Sequence, residues 1–209
     1  MPQPLSRVAP NAGVAIGNAG DRPLLRHPDL AVLAIESIAS WSNVEAFLLN
    51  LFVELFGGRG SLAANVYLSL DGQSAKNAAI DAAATSVLGD SPDKLRVLKA
   101  ILAIAKTNKK DRDKLAHWVW GDSAIITDAV LLTDPRISTD SVDLSKIFVY
   151  RAVDFNSIIQ SNDRLCGYGL NFIFILNDHP SNEDDKLLKQ LIAEPAIKAR
   201  LSGDGKSNS

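Results

Sequence analysis

A mainly α-helical fold is predicted: an antiparallel helical bundle with a small two-stranded β insertion at about 123–153, placed before a second long helix. Two observations carry this. Apolar residues recur at a spacing of three and four over 28–55, 92–120 and 155–176, the period of a helix with one buried face. The β-branched and aromatic run that suits a pleated surface is confined to 123–153.

Residues 1–27 mix Pro, Gly, Asn and small side chains without a period and are expected to form a flexible tail. One domain is expected over 28–201, followed by a second flexible tail at 202–209. Pro28 at the first helical position and Asp29 in the first turn open the first long helix. Its stripe is Leu30, Leu33, Ala34, Trp41, Val44, Leu48, Leu51, Phe52 and Leu55, and Gly57 and Gly58 end it. Glu45, near the stripe, is expected to be partly buried and paired. Shorter helices at 61–70 and 74–88 flank the turn Asp71–Gly72, and the alanines of the second suit close packing.

Ser91 as cap and Pro92 behind it open the next helix, with Leu95, Leu98, Ile101, Leu102 and Ala105 inward. This helix is expected to reach the neighbourhood of Gly121. "SAIITDAVLLTD" and "KIFVYRAV" are then read as two antiparallel strands around the mobile loop "PRISTDSVDLS". From Phe155 the helical period returns through Ile158, Ile159, Leu165, Phe172, Ile173 and Leu176. Gly167 and Gly169 inside it mark a close helix contact or a kink. A last helix is expected over 183–201.

Composition narrows the function. With 22 basic and 24 acidic residues, no global footprint for nucleic acid exists, so any polyanion site must be local. Cys166 is the single cysteine, which leaves neither a disulfide framework nor a cysteine-based zinc cluster and points to the cytoplasm. Apolar runs such as "NFIFIL" read as too short to span a bilayer, and the first residues lack the apolar core of a signal peptide. His27, His117 and His179 lie far apart and the carboxylates have no ligand spacing, so no metal and no cofactor are expected.

The chemistry concentrates in "KKDRDKLAHWVWG", Lys109 to Gly121. Five basic residues stand against two acidic ones from Lys106 to Lys114, a local positive patch on a chain of net charge −2. Asp113 and His117 are four residues apart on one helix face, where a carboxylate can fix the imidazole tautomer. Arg112 offers a permanently charged fork for phosphate oxygens. It precedes His117 by five residues, roughly 140° around the helix at about 100° per residue. A histidine beside a phosphate-binding arginine has the parts for attack by a ribose 2′-hydroxyl on its own phosphodiester. One imidazole cannot be base and acid in the same step, but two copies across a dimer can. Lys109, Lys110, Lys114 and Asn108 are the candidate RNA contacts. Trp118 and Trp120 are expected to pack against the β insertion, Tyr150 and Arg151 to be structural, and His179 to end a helix.

The string "RDKLAH", Arg112, Asp113 and then His117, resembles the signature of the HEPN superfamily, an arginine and a histidine separated by four to six residues. The same bare pattern at Arg22 to His27 contains Pro23 and is read as a chance match. The resemblance implies a HEPN-like bundle over about 28–178 that dimerises and places two motifs in one cleft. It implies a metal-independent endoribonuclease of the kind serving as toxin or antiviral abortive-infection effector, with RNA as substrate and an antitoxin as possible partner. Arg112 and His117 would be catalytic and Asp113 would orient His117. Asp follows the arginine here in place of the commoner Asn or His. The alternative is a non-catalytic HEPN-like module that dimerises and binds a protein or nucleotide.

Overall fold

The computed structural model describes residues 1–18, 20–57, 60–136 and 143–203. The chain is mainly helical with a small antiparallel sheet of five strands. Two compact units are formed, one from Met1–Trp41 and Asn108–Asn162, the other from Ser42–Thr107 and Asp163–Ser209.

The first unit holds the sheet. Its strands are β1 (Gln3–Pro4), β2 (Ala15–Ile16), β3 (Val119–Ser123), β4 (Ile126–Thr133) and β5 (Ile147–Arg151), in the order β1-β5-β4-β3-β2 and antiparallel throughout. Both faces are covered, which is why β4 and β5 read as nearly unbroken apolar runs. Val130, Leu132 and Tyr150 pack on one face against Leu30, Ala34, Leu115, Phe155 and Ile158 from helices α3 (Pro28–Leu55), α6 (Pro92–His117) and α7 (Ala152–Leu176). The alternate residues Ala129, Leu131, Ile147 and Val149 face the other way, onto Leu5 and Ala12.

The expected N-terminal tail is therefore folded. Residues 1–27 supply both edge strands and two single-turn helices, α1 (Leu5–Val8) and α2 (Pro23–Arg26), and Leu5 is fully buried. Small and turn-forming residues without a period are what a segment needs to turn back across a sheet on a few apolar anchors. Arg26 fastens α2 to β3 by donating to Asp122, and reaches Asp21 at 2.6 Å.

A second correction concerns the end of α6. The helix stops at His117 and the next residues form β3, so the insertion has three long strands and not two. Trp120 pairs with Leu132, and Gly121 lies between Leu131 and Ile16. A Cβ on Gly121 would overlap the Ile16 side chain and the Ala15 carbonyl, so only glycine admits the edge strand here. Within the expected mobile loop, 137–142 lie outside the described residues. Before them Arg136 folds back on Asp134, whose carboxyl it holds down at about 2.

The second unit is helical. It packs the C-terminal part of α3, α4 (Gly60–Ser69), α5 (Gly72–Leu88), the N-terminal part of α6, the C-terminal part of α7, α8 (Lys186–Ala193) and α9 (Pro195–Gly203). Val44, Leu48, Leu51, Phe52, Ile80, Leu98, Ile101, Leu165, Phe172 and Leu191 are buried in it. A Cβ on Gly169 would run into the Phe47 ring, so this glycine marks the expected close helix contact, whereas Gly167 faces open space. Glu45 is exposed, contrary to expectation. The single expected C-terminal helix is divided: Pro195 lacks the N–H and keeps Glu194 extended (φ −60°, ψ 127°), ending α8 and starting α9. By length and composition α3 is apolar enough to cross a membrane, against the expectation that every apolar stretch is too short. Its buried residues, from Ala34, Trp41 and Val44 to Leu48, Leu51 and Leu55, recur as in a core helix.

Candidate functional site

The last two turns of α6 carry the residues singled out by the sequence. Leu115 faces the core of the first unit and turns 109, 113 and 117 toward the open side. Trp118 continues the buried face, tilted on Phe148 with ring centres 5.8 Å apart, and Trp120 stacks on Phe155 at 6.4 Å. Trp118 thus packs on the β insertion as expected, whereas Trp120 lies on β3 itself and stacks on α7.

Asp113 binds two cations. Its Oδ2 accepts from Lys109 and its Oδ1 from Arg112 Nη1 at 3.3 Å. The expected Asp113–His117 hydrogen bond is not formed among the described residues, and the reason is competition. Lys109 lies four residues before Asp113 and His117 four after, so both can reach it, and a full ammonium outbids an imidazole. His117 is exposed at the C-terminal end of the helix.

Arg112 is half-buried, with its side chain 31% exposed. Its Nε is shielded from solvent and lacks a hydrogen-bond partner among the described residues, while Nη1 is engaged by Asp113. Such an orphaned donor costs about 1–3 kcal/mol.

The four candidate RNA contacts separate. Lys110 is exposed and makes no ion pair with the described residues. Lys109 is held by Asp113, and Lys114 pairs with Asp111 at 3.5 Å and lies 5.5 Å over the Trp118 ring. Asn108 is 8% exposed and belongs to the interior, a correction to its expected place in a surface patch. Its Nδ2 donates to Asn162 Oδ1 at 3.1 Å and its Oδ1 accepts from Ser161 at 3.2 Å. Asn162, fully buried, donates to Ser40 Oγ at 2.9 Å, and Ser40 donates to the Ser37 carbonyl at 3.0 Å. This polar ladder ties α3, α6 and α7 together. It escaped the sequence reading, although a lone Asn at each of two apolar helical positions was its signal.

Tyr150 and Arg151 hold structural positions. Tyr150 is buried, and desolvation with the nearby Asp111 and Asp154 carboxylates pushes its phenol well up. Arg151 pairs with Asp128 at 2.8 Å. His179 caps the turn Pro180–Asp185 by accepting from Ser181 N and stacks on Phe174. Among the described residues no three His, Cys, Asp or Glu side chains are grouped to hold a metal ion. Comparison with family models, curated proteins and solved structures returns no match.

Proposed function

We propose that the chain is a HEPN-type, metal-independent endoribonuclease acting as a homodimer in the cytoplasm, in a toxin or antiviral role with an antitoxin as partner. The observation that carries this reading is the end of α6: a half-buried arginine held by Asp113 and, five residues on, a solvent-facing imidazole with no hydrogen-bond partner among the described residues. Arg112 binds the scissile phosphate and stabilises charge on the phosphorane-like transition state. His117 of one copy takes the proton from the ribose 2′-hydroxyl as O2′ bonds to phosphorus. His117 of the second copy gives a proton to O5′ as the P–O5′ bond breaks. The products are a 2′,3′-cyclic phosphate and a 5′-hydroxyl. Asp113 positions Arg112 in this scheme and does not orient His117. Lys110, exposed and without an ion pair among the described residues, supplies a cation for a neighbouring phosphate.

The deciding experiment incubates labelled RNA with purified protein, wild type and His117→Ala, with and without chelator. Cleavage that survives chelator, leaves a cyclic phosphate and disappears in the variant is expected. Cleavage that persists in a folded His117→Ala protein removes the mechanism. A second reading, a non-catalytic module that dimerises and binds a protein or nucleotide, is favoured by Asp113 serving two cations in place of His117. It predicts that wild type, Arg112→Ala and His117→Ala behave alike when expressed in cells.

A further inference from the structure

The second unit contains a cleft of about 420 Å³ bordered by the first turns of α6 and by α8 and α9. Each helix brings one cation and one apolar residue to it: Arg96 with Val97, Lys189 with Ile192, Lys198 with Leu201. Ile192 remains 36% exposed, so the apolar floor is open. Asp93 is the sole carboxylate in the lining among the described residues and touches Arg96 only at 3.8 Å, with both side chains more than half exposed. Lys189 donates to the Asp184 carbonyl at 2.7 Å, a bond to a neutral acceptor that leaves its charge in place. Lys198 has no ion-pair partner among the described residues.

Lysine stems often lie along apolar surface with the ammonium in water, and a single such residue means nothing more. Three cations from three helices around one concavity, opposed by one carboxylate on a chain of net charge −2, is a different pattern. We propose that this cleft binds a phosphate monoester with a short apolar body. The three terminal oxygens of a phosphate meet donors arriving from three directions, which the two oxygens of a planar carboxylate cannot do. A dianion also balances three cations less one carboxylate. The volume far exceeds a phosphate group and lies in the range of small-molecule sites, so the remaining space over Val97, Ile192 and Leu201 takes the apolar body.

Calorimetric titration of the full chain with hexyl phosphate and with inorganic phosphate tests this. Hexyl phosphate should bind at least roughly tenfold more tightly, and Lys198→Glu or Arg96→Gln should weaken it by roughly tenfold or more. Both positions are on the surface, so retained helicity by circular dichroism keeps the comparison clean. Ile192→Asn should weaken hexyl phosphate and leave inorganic phosphate unchanged. Cosedimentation with phosphatidylcholine vesicles containing phosphatidic acid distinguishes the source of the ester. Sedimentation abolished by Lys198→Glu assigns it to a lipid headgroup, and binding of the free ester alone assigns a soluble one. Hexyl phosphate binding no better than inorganic phosphate without vesicle binding, or binding indifferent to both charge substitutions, overturns the proposal.

Discussion

Asp113 shows what a helix surface does with one carboxylate and three suitors. It sits within reach of Lys109, Arg112 and His117, and the two permanent cations take it. Asp113→Asn should therefore loosen Arg112 and leave the imidazole unaffected. If the chain cleaves RNA as proposed, kcat/KM falls roughly 10- to 100-fold in this variant. The histidine limb of the pH–rate profile should stay in place, and its displacement would show that Asp113 does act on His117. Stability should change by no more than about 1 kcal/mol, since the pairs are partly solvated. Two glycines on α7 make a paired test of packing. Gly169→Ala should destabilise by about 1–3 kcal/mol as the new methyl meets the Phe47 ring. Gly167→Ala should instead stabilise by up to about 1 kcal/mol, because the site is open and alanine favours the helix. Urea midpoints moving the same way for both would contradict this geometry.

Among the elements, the polar ladder through Asn108, Asn162 and Ser40 is the feature with most at stake. Asn162→Ala strands Asn108 Nδ2 and removes the donor to Ser40, so a loss of about 1–3 kcal/mol is expected. The double variant Asn108→Leu/Asn162→Leu should recover part of that loss, because replacing both partners leaves fewer stranded groups. Chemical denaturation of the single and double variants measures the coupling, and strict additivity would argue against a ladder. The long helices were legible because proline marked their starts: Pro28 and Pro92 occupy the first turns predicted for them. Strand β3 was not legible, since "WVWG" follows a helix with no Gly or Pro between and its apolar content fits either period. The segment 1–27 was misread for a related reason. Its anchors Leu5, Val8, Ala12 and Ile16 recur three to four residues apart, a helical spacing, yet they sit on a single turn, a loop and a two-residue strand, so periodicity alone points to the wrong element. In the cluster itself, the packing of Trp118 on Phe148 agrees with the sequence reading. The partners of Asp113 depended on which of several reachable cations came closest.

On the scale of the whole molecule, each unit encloses a tyrosine that resists ionisation. Burial pushes Tyr67 in the second unit up to about 12, and Tyr150 in the first is raised in the same direction. An unfolded tyrosine titrates near 10, so above that pH the unfolded chain sheds protons that the folded chain keeps. Stability is thus fully present below about 10 and falls as the pH rises through about 12. Thermal melts across that window should show a declining Tm, with tyrosinate absorbance appearing at unfolding and not before. Early tyrosinate signal from a folded protein would contradict the burial. The pairing of Gln3 with Val149 has a further consequence for biosynthesis. The first edge of the sheet leaves the ribosome long before its hydrogen-bonding partner has been translated, so Leu5 and its neighbours must wait without a pocket. Closing so distant a contact is slow. A nascent chain arrested before β5 should therefore be the form that chaperones hold and proteases cut.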